Sequence, residues 1–254
     1  MKKLFLKIWD NILFIETLFL LAFIPLYPKI PLLDVRNTWV YIRAEDFLVL
    51  FVFFTMAALF AKKKITFQTP LTLPILLFWF VGAVSTIHAV LLIFPNLPNV
   101  FPNVAFLSLI RHIEYMGVFF MAYLGTDKKK LPLVISTLAA TLIGVILYGF
   151  GQKFLNFPAF LTMNEEFAKG IPIHLSELGR VPSTFAGHYD LAAYLVLIIP
   201  IMVSLSFSLK NWLIKAALIL ISLSGFLLLF MTVSRVSFVV LFISLFIVLF
   251  FQKR

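Results

Sequence analysis

The stretch AALILISLSGFLLLFMTVSRVSFVVLFISLFIVLFF, residues 216–251, is apolar almost throughout and contains a single charged residue, Arg235. A helix needs about 20 apolar residues to cross the roughly 30 Å hydrocarbon core of a bilayer. The whole run is too long for one crossing. We therefore predict two membrane helices, 213–231 and 236–251, with a turn at Ser234 and Arg235.

The same apolar pattern recurs along the whole chain of 254 residues, which is 62% hydrophobic and only 13% charged. Soluble domains carry about 25% charged residues, so this composition excludes a soluble fold. Because lipid offers no partner to backbone polar groups, apolar runs of this length form helices. We predict an all-α polytopic membrane bundle, one transmembrane domain over 1–254, with about eight transmembrane helices at 11–28, 46–61, 70–92, 106–125, 131–150, 189–208, 213–231 and 236–251.

Basic residues set the orientation of these helices, because short loops rich in Lys and Arg stay in the cytoplasm. If the spans alternate, every basic cluster falls on one side, and both termini are cytoplasmic. These clusters are Lys2, Lys3 and Lys7; Lys62, Lys63 and Lys64; Lys128, Lys129 and Lys130; Lys210 and Lys215; Lys253 and Arg254. The net charge of +10 is thus a topology signal. Nucleic-acid binding needs one continuous basic face, so we expect no nucleic-acid partner.

The sequence offers little for metal or cofactor chemistry. It has no cysteine, which excludes disulfides, thiolate metal ligands and a cysteine nucleophile. No two of its four histidines have metal-ligand spacing, and no glycine-rich phosphate loop is present. We therefore expect neither a metal nor a cofactor.

Arginines from separate segments are expected at similar depth on the outer side. Arg111 lies roughly 10 Å of helix inside its span, with Glu114 three residues on and on the same face, so the two can pair. Arg180, the last basic residue of the longest outer loop (151–188), and His188 and Asp190 flank the next span, and Arg235 joins them from its turn. Guanidinium groups suit phosphate because their fork binds two oxygens at once. Two plainer interpretations stay open: an Arg111–Glu114 ion pair, and an Arg235 side chain that extends to the interface.

Three motifs carry a resemblance to a known family. GRVPSTFAGHYDLAAYLVLIIP, residues 179–200, resembles a signature of the O-antigen ligase and O-antigen polymerase superfamily, in which an arginine and a Thr-Phe pair precede a Leu-Ala-x-Tyr-Leu span. Thr232-x-Ser234-Arg235 resembles the Thr-x-Ser-Arg that ends a later span. Arg43-x-Glu45-Asp46 resembles the family's entry to its second span.

This resemblance implies a multi-pass enzyme of lipopolysaccharide or polysaccharide assembly in a bacterial inner membrane. Such glycosyltransferases move a glycan from undecaprenyl diphosphate, at the outer face, to a hydroxyl of a glycan or lipid acceptor without a metal. Arginines hold the diphosphate leaving group. By position Arg180 and Arg235 inherit that role, Arg111 is a further candidate, and His188, Asp190, Arg43 and Glu114 are supporting residues.

The chain also departs from the family pattern. Members continue through further spans and a large outer loop with a catalytic histidine, so this chain is expected to be an amino-terminal portion, and we assign no catalytic residue. Where the family's turn has Asn-Pro-Asn, this chain has Gly187-His188-Tyr189-Asp190. Enzymatic activity thus rests on the resemblance, and ligase versus polymerase stays open. The alternatives are a transporter or flippase of a lipid-linked or anionic solute, and a non-catalytic scaffold.

Overall fold

The computed structural model describes residues 11–38 and 40–252, and this part of the chain is mostly helical. The predicted cytoplasmic charges Lys2, Lys3, Lys7, Lys253 and Arg254 lie outside the described residues. The described part contains eight α-helices: α1 Ile12–Leu26, α2 Ala44–Ala61, α3 Thr72–His88, α4 Pro102–Gly125, α5 Leu131–Phe154, α6 His188–Ser208, α7 Trp212–Thr232 and α8 Arg235–Gln252.

Shorter elements complete this order. A π-helical turn, Ala89–Ile93, and a 3₁₀ turn, Phe94–Asn96, continue α3, and a second 3₁₀ turn spans Phe167–Lys169. Two short strands, β1 Pro31–Leu33 and β2 Ile42–Arg43, lie between α1 and α2. Pro95 lies in the 3₁₀ turn that follows the π turn, and a proline cannot donate the hydrogen bond that an α-helix would need there.

Seven of the described helices are long and apolar enough to cross a membrane, with α3 counted through Asn96. The exception is α1, whose 15 residues extend for about 22 Å. The structure thus confirms a polytopic all-α membrane fold, with helix ends within a few residues of those predicted. Many large apolar side chains are exposed on the outside of these helices, as expected for surfaces that face lipid. Phe80, Phe230 and Phe246 are each about two thirds exposed.

The chain divides into two compact units. Among the described residues, the first unit comprises 11–20, 33–38 and 42–131. Within it α4 packs against both α2 and α3. Glycines permit close approaches here: a Cβ at Gly125 would come within 2.7 Å of the Leu13 backbone, so any side chain at that position would push α1 and α4 apart.

The second unit comprises the described residues of 21–32, 40–41 and 132–252. Its core brings together α5, α6, α7 and α8, and α6 packs against both α7 and α8. The side chains at its centre are fully buried: Leu142 and Val145 from α5, Leu191 and Leu195 from α6, Leu228 and Leu229 from α7, and Leu241 from α8. This unit carries the longest loop and the segment 179–200.

The predicted turn between the last two helices is confirmed. Helix α7 ends at Thr232, Val233 takes a left-handed backbone conformation with φ 57°, and α8 begins at Arg235. A positive φ is costly for a β-branched residue such as valine, so surrounding contacts must hold it. The Ser234 amide donates to Thr232 Oγ1 at 3.3 Å, and the Ser234 and Ser237 hydroxyls lie 2.8 Å apart. These bonds fix where Arg235 leaves the turn.

Candidate functional site

Arg180 and His188 contact each other directly at the start of α6. Arg180 Nη1 lies 3.1 Å from His188 Nε2, the Arg180 residue is exposed, and His188 is buried. A guanidinium has only donors, so His188 Nε2 is the acceptor in this bond. One guanidinium N–H is thereby held at the helix start, and the other four remain available as donors.

The loop segment behind this pair is anchored by buried hydrogen bonds. Ser183 has φ 52°, its hydroxyl donates to Val145 O at 2.7 Å, and its carbonyl accepts from Gln152 Nε2 at 2.9 Å. The next residue, Thr184, donates from its hydroxyl to Pro25 O. Both Ser183 and Thr184 are buried. The Ser-Thr of the quoted segment thus holds the backbone that carries Arg180 against the helical core.

A backbone hydrogen bond joins this loop to the last turn of α7, next to the turn that leads into α8. The Val181 amide donates to Met231 O at 3.1 Å. Arg180 precedes Val181, and Arg235 follows Met231 by four residues, so the two arginine-bearing segments lie side by side. Arg235 is exposed and makes neither an ion pair nor a side-chain hydrogen bond with any residue of 11–38 and 40–252. We call Arg180, His188 and Arg235 the arginine site.

Asp190 is among the predicted supporting residues, but the side chain that hydrogen-bonds His188 is that of Arg180. Asp190 is exposed in the first turn of α6 and forms no side-chain hydrogen bond within the described part of the chain. The Tyr189 ring lies against His188, with ring centroids 4.1 Å apart. His188 is therefore positioned by Arg180, Tyr189 and its burial.

Arg111 and Arg43 lie in the first unit and are engaged by carboxylates. Arg111 Nη2 is 3.5 Å from Asp46 Oδ2, and Arg43 Nη1 is 3.3 Å from Glu45 Oε1. Asp46 also accepts from the Arg43 amide at 2.8 Å, at the start of α2. The expected Arg111–Glu114 pair does not form: no described cation pairs with Glu114, because the packing of α4 on α2 offers Arg111 the nearer Asp46. The charges of Arg43 and Arg111 are thus already partly balanced.

Two features of the arginine site were not predicted from the sequence. Gln152 bridges Pro158 O at 3.0 Å and Ser183 O, and Tyr148 also donates to Pro158 O at 2.9 Å. The hydrogen bond between Val181 and Met231 joins residues far apart in the chain. Because it involves only backbone atoms, the identity of the two residues does not indicate it.

No family model, curated protein or solved structure matches this chain. A proposal of function must therefore be argued from the arginine site and from the sequence.

Proposed function

We propose that this chain binds a polyprenyl-diphosphate-linked glycan through Arg180 and Arg235 and takes part in O-antigen ligase- or polymerase-like glycosyl transfer at the outer face of a bacterial inner membrane. The observation that carries the proposal is the Val181–Met231 hydrogen bond, which brings the two arginine-bearing segments together. The sequence resemblance of the same two segments supports it independently.

The chemistry of the two arginines suits a diphosphate better than a carboxylate or a monophosphate. Each guanidinium can donate two parallel N–H bonds to one phosphate group. Arg180 keeps such donors after its bond to His188, and Arg235 has no ion pair among the described residues. Two cations on adjacent segments can therefore hold two linked phosphates, one each.

The position of the site suits a lipid-linked donor. Arg180 contacts His188 at the start of α6, and Arg235 begins α8, so both meet the ends of membrane-length helices. A polyprenyl chain would lie among the lipid-facing side chains while its diphosphate meets these helix ends. The arginines would stabilise the negative charge that develops on the diphosphate as the glycan leaves.

The acceptor in this proposal is a hydroxyl group of a glycan or of a lipid-linked core. The glycosyl bond to the diphosphate breaks, and a new bond forms to the acceptor oxygen, whose proton must be taken by a base. His188 accepts a hydrogen bond from Arg180 at Nε2, so it is occupied as a positioning group, and we assign it no role as that base.

Binding of undecaprenyl diphosphate to the chain in lipid nanodiscs tests the proposal. Arg180→Ala and Arg235→Ala should each weaken binding by about 1–3 kcal/mol, roughly 5- to 150-fold, as for lost charged hydrogen bonds. Arg36→Ala is the matched control, since Arg36 is also exposed and lies in a loop. Binding of undecaprenyl monophosphate, which has one phosphate, should be weakened less by the loss of either arginine than binding of the diphosphate. Unchanged diphosphate binding in both site variants would overturn the assignment.

A vesicle assay separates glycosyl transfer from transport. If the chain moved the lipid-linked glycan across vesicle membranes without forming any glycan product, the arginine site would belong to a transporter or flippase.

A further inference from the structure

In the first unit, the start of α1 and the ends of α2 and α4 surround a cavity of about 270 Å³. Its lining is about half apolar, with Leu13, Leu59, Ile65 and Leu124, and about half polar, with Asn11, Lys64 and Lys130. The volume is slightly below the roughly 300 Å³ at which small-molecule pockets begin. The cavity is therefore large enough for a compact headgroup.

The Lys130 side chain is held at the cavity wall. Its Nζ donates to Gly125 O at 2.9 Å and lies 4.9 Å from the centre of the Phe14 ring. The carboxylate of Asp127 is 3.9 Å away and exposed, so it offsets only part of the charge. An ammonium group has three N–H donors. Lys130 therefore presents an ordered cation with donors beyond the one that Gly125 uses.

The surroundings of the cavity are strongly basic. Lys62, Lys63 and Lys64 follow α2, and Lys128, Lys129 and Lys130 follow α4, while Asp127 is the one acidic residue in the two connecting loops, 62–71 and 126–130. Runs of this kind remain on the cytoplasmic side, where anionic lipids give the leaflet a negative surface potential. Basic pockets between membrane helices on that side bind phospholipid headgroups.

We propose that this cavity binds the phosphate headgroup of one anionic phospholipid from the cytoplasmic leaflet. Lys64 and Lys130 contact the phosphate, and the apolar lining residues contact the glycerol and the first methylene groups of the acyl chains. A free phosphate ion shares the same chemistry with the lysines. The lipid is favoured because its methylene groups can bury the apolar half of the lining, which a free phosphate ion leaves without a partner.

Native mass spectrometry of the full chain, released from nanodiscs of equal parts phosphatidylglycerol and phosphatidylcholine, tests this proposal. The wild-type chain should retain phosphatidylglycerol in preference to phosphatidylcholine. Lys64→Gln together with Lys130→Gln should lower that preference by about ten-fold or more, as expected for two cations near an anionic lipid. The matched control is Lys128→Gln with Lys129→Gln, which removes the same charge from one of the same loops and should keep the preference.

Each further outcome has a defined meaning. Equal loss in the control and cavity variants would overturn the site, because it would show that general surface charge attracts the lipid. Displacement of the lipid by millimolar glycerol phosphate would identify a site for soluble phosphate and overturn the lipid assignment. If the double Gln variant did not fold, Lys64→Arg with Lys130→Arg should still retain phosphatidylglycerol. An equal retention of both lipids by the wild-type chain would refute the proposal without any variant.

Discussion

Replacing His188 by leucine tests how the arginine site is organised. His188 is 6% exposed and accepts a hydrogen bond from Arg180 Nη1 at 3.1 Å. Leucine keeps an apolar side chain in the buried space but removes the acceptor. If His188 acts only by positioning Arg180, its replacement should lower the affinity for undecaprenyl diphosphate only when Arg180 is present.

The expected loss of affinity depends on how exposed Arg180, the hydrogen-bond donor, is to water. A hydrogen bond that involves a charged group contributes about 1.5–3 kcal/mol to stability. Because Arg180 is exposed, water replaces part of that bond, and we expect a loss nearer 1 kcal/mol, or about five-fold in affinity. His188→Gln, which retains an oxygen acceptor, should recover part of the affinity.

The assay is a double-mutant cycle on the affinity for undecaprenyl diphosphate in nanodiscs, with Arg180→Ala as the second change. His188→Leu should weaken binding about five-fold in the wild-type background and have almost no effect when Arg180 is already alanine. An equal loss in both backgrounds would refute the positioning role, because His188 would then contact the ligand itself. Size-exclusion profiles of the four proteins check that each variant is folded.

Three further predictions concern the rest of the fold. Asp46→Asn and Arg111→Gln should each lower the free energy of unfolding by about 1 kcal/mol, and the double variant should lose little more than either. Additive losses in thermal unfolding would show that the two residues do not interact. Gly125→Val should lower the unfolding temperature, because its Cβ would fall 2.7 Å from the Leu13 backbone, whereas an unchanged temperature would show that α1 and α4 do not approach so closely. Since the chain has no cysteine, a single cysteine replacing Glu166 should react with an impermeant maleimide in intact cells, whereas one replacing Lys63 should react only after lysis. Labelling of both, or of Lys63→Cys alone, in intact cells would contradict the predicted orientation.

The architecture follows from the sequence because it depends on local composition. The length of an apolar run determines whether a helix crosses the bilayer, and the interruption at Ser234 and Arg235 marks a turn even where no proline or glycine does. The left-handed Val233 that forms this turn was not predictable, since valine rarely takes a positive φ. The 15-residue length of α1 was also shorter than its apolar run predicted.

The contacts of the charged residues were harder to predict, because tertiary packing decides them. Spacing along one helix favoured Arg111 with Glu114, yet the packing of α2 on α4 provides Asp46. Arg180 and His188 belong to one segment of the sequence, but their hydrogen bond could not be predicted from it. A proposal that depends on side-chain partners therefore needs a structure, whereas membrane topology does not.

The measurement that tests the central proposal most directly is a cryo-electron microscopy structure of the chain in nanodiscs with undecaprenyl diphosphate. We predict density for the diphosphate in contact with the guanidinium groups of both Arg180 and Arg235, with Arg180 still bound to His188. A diphosphate bound elsewhere, while both arginines contact only protein, lipid headgroups or water, would contradict it.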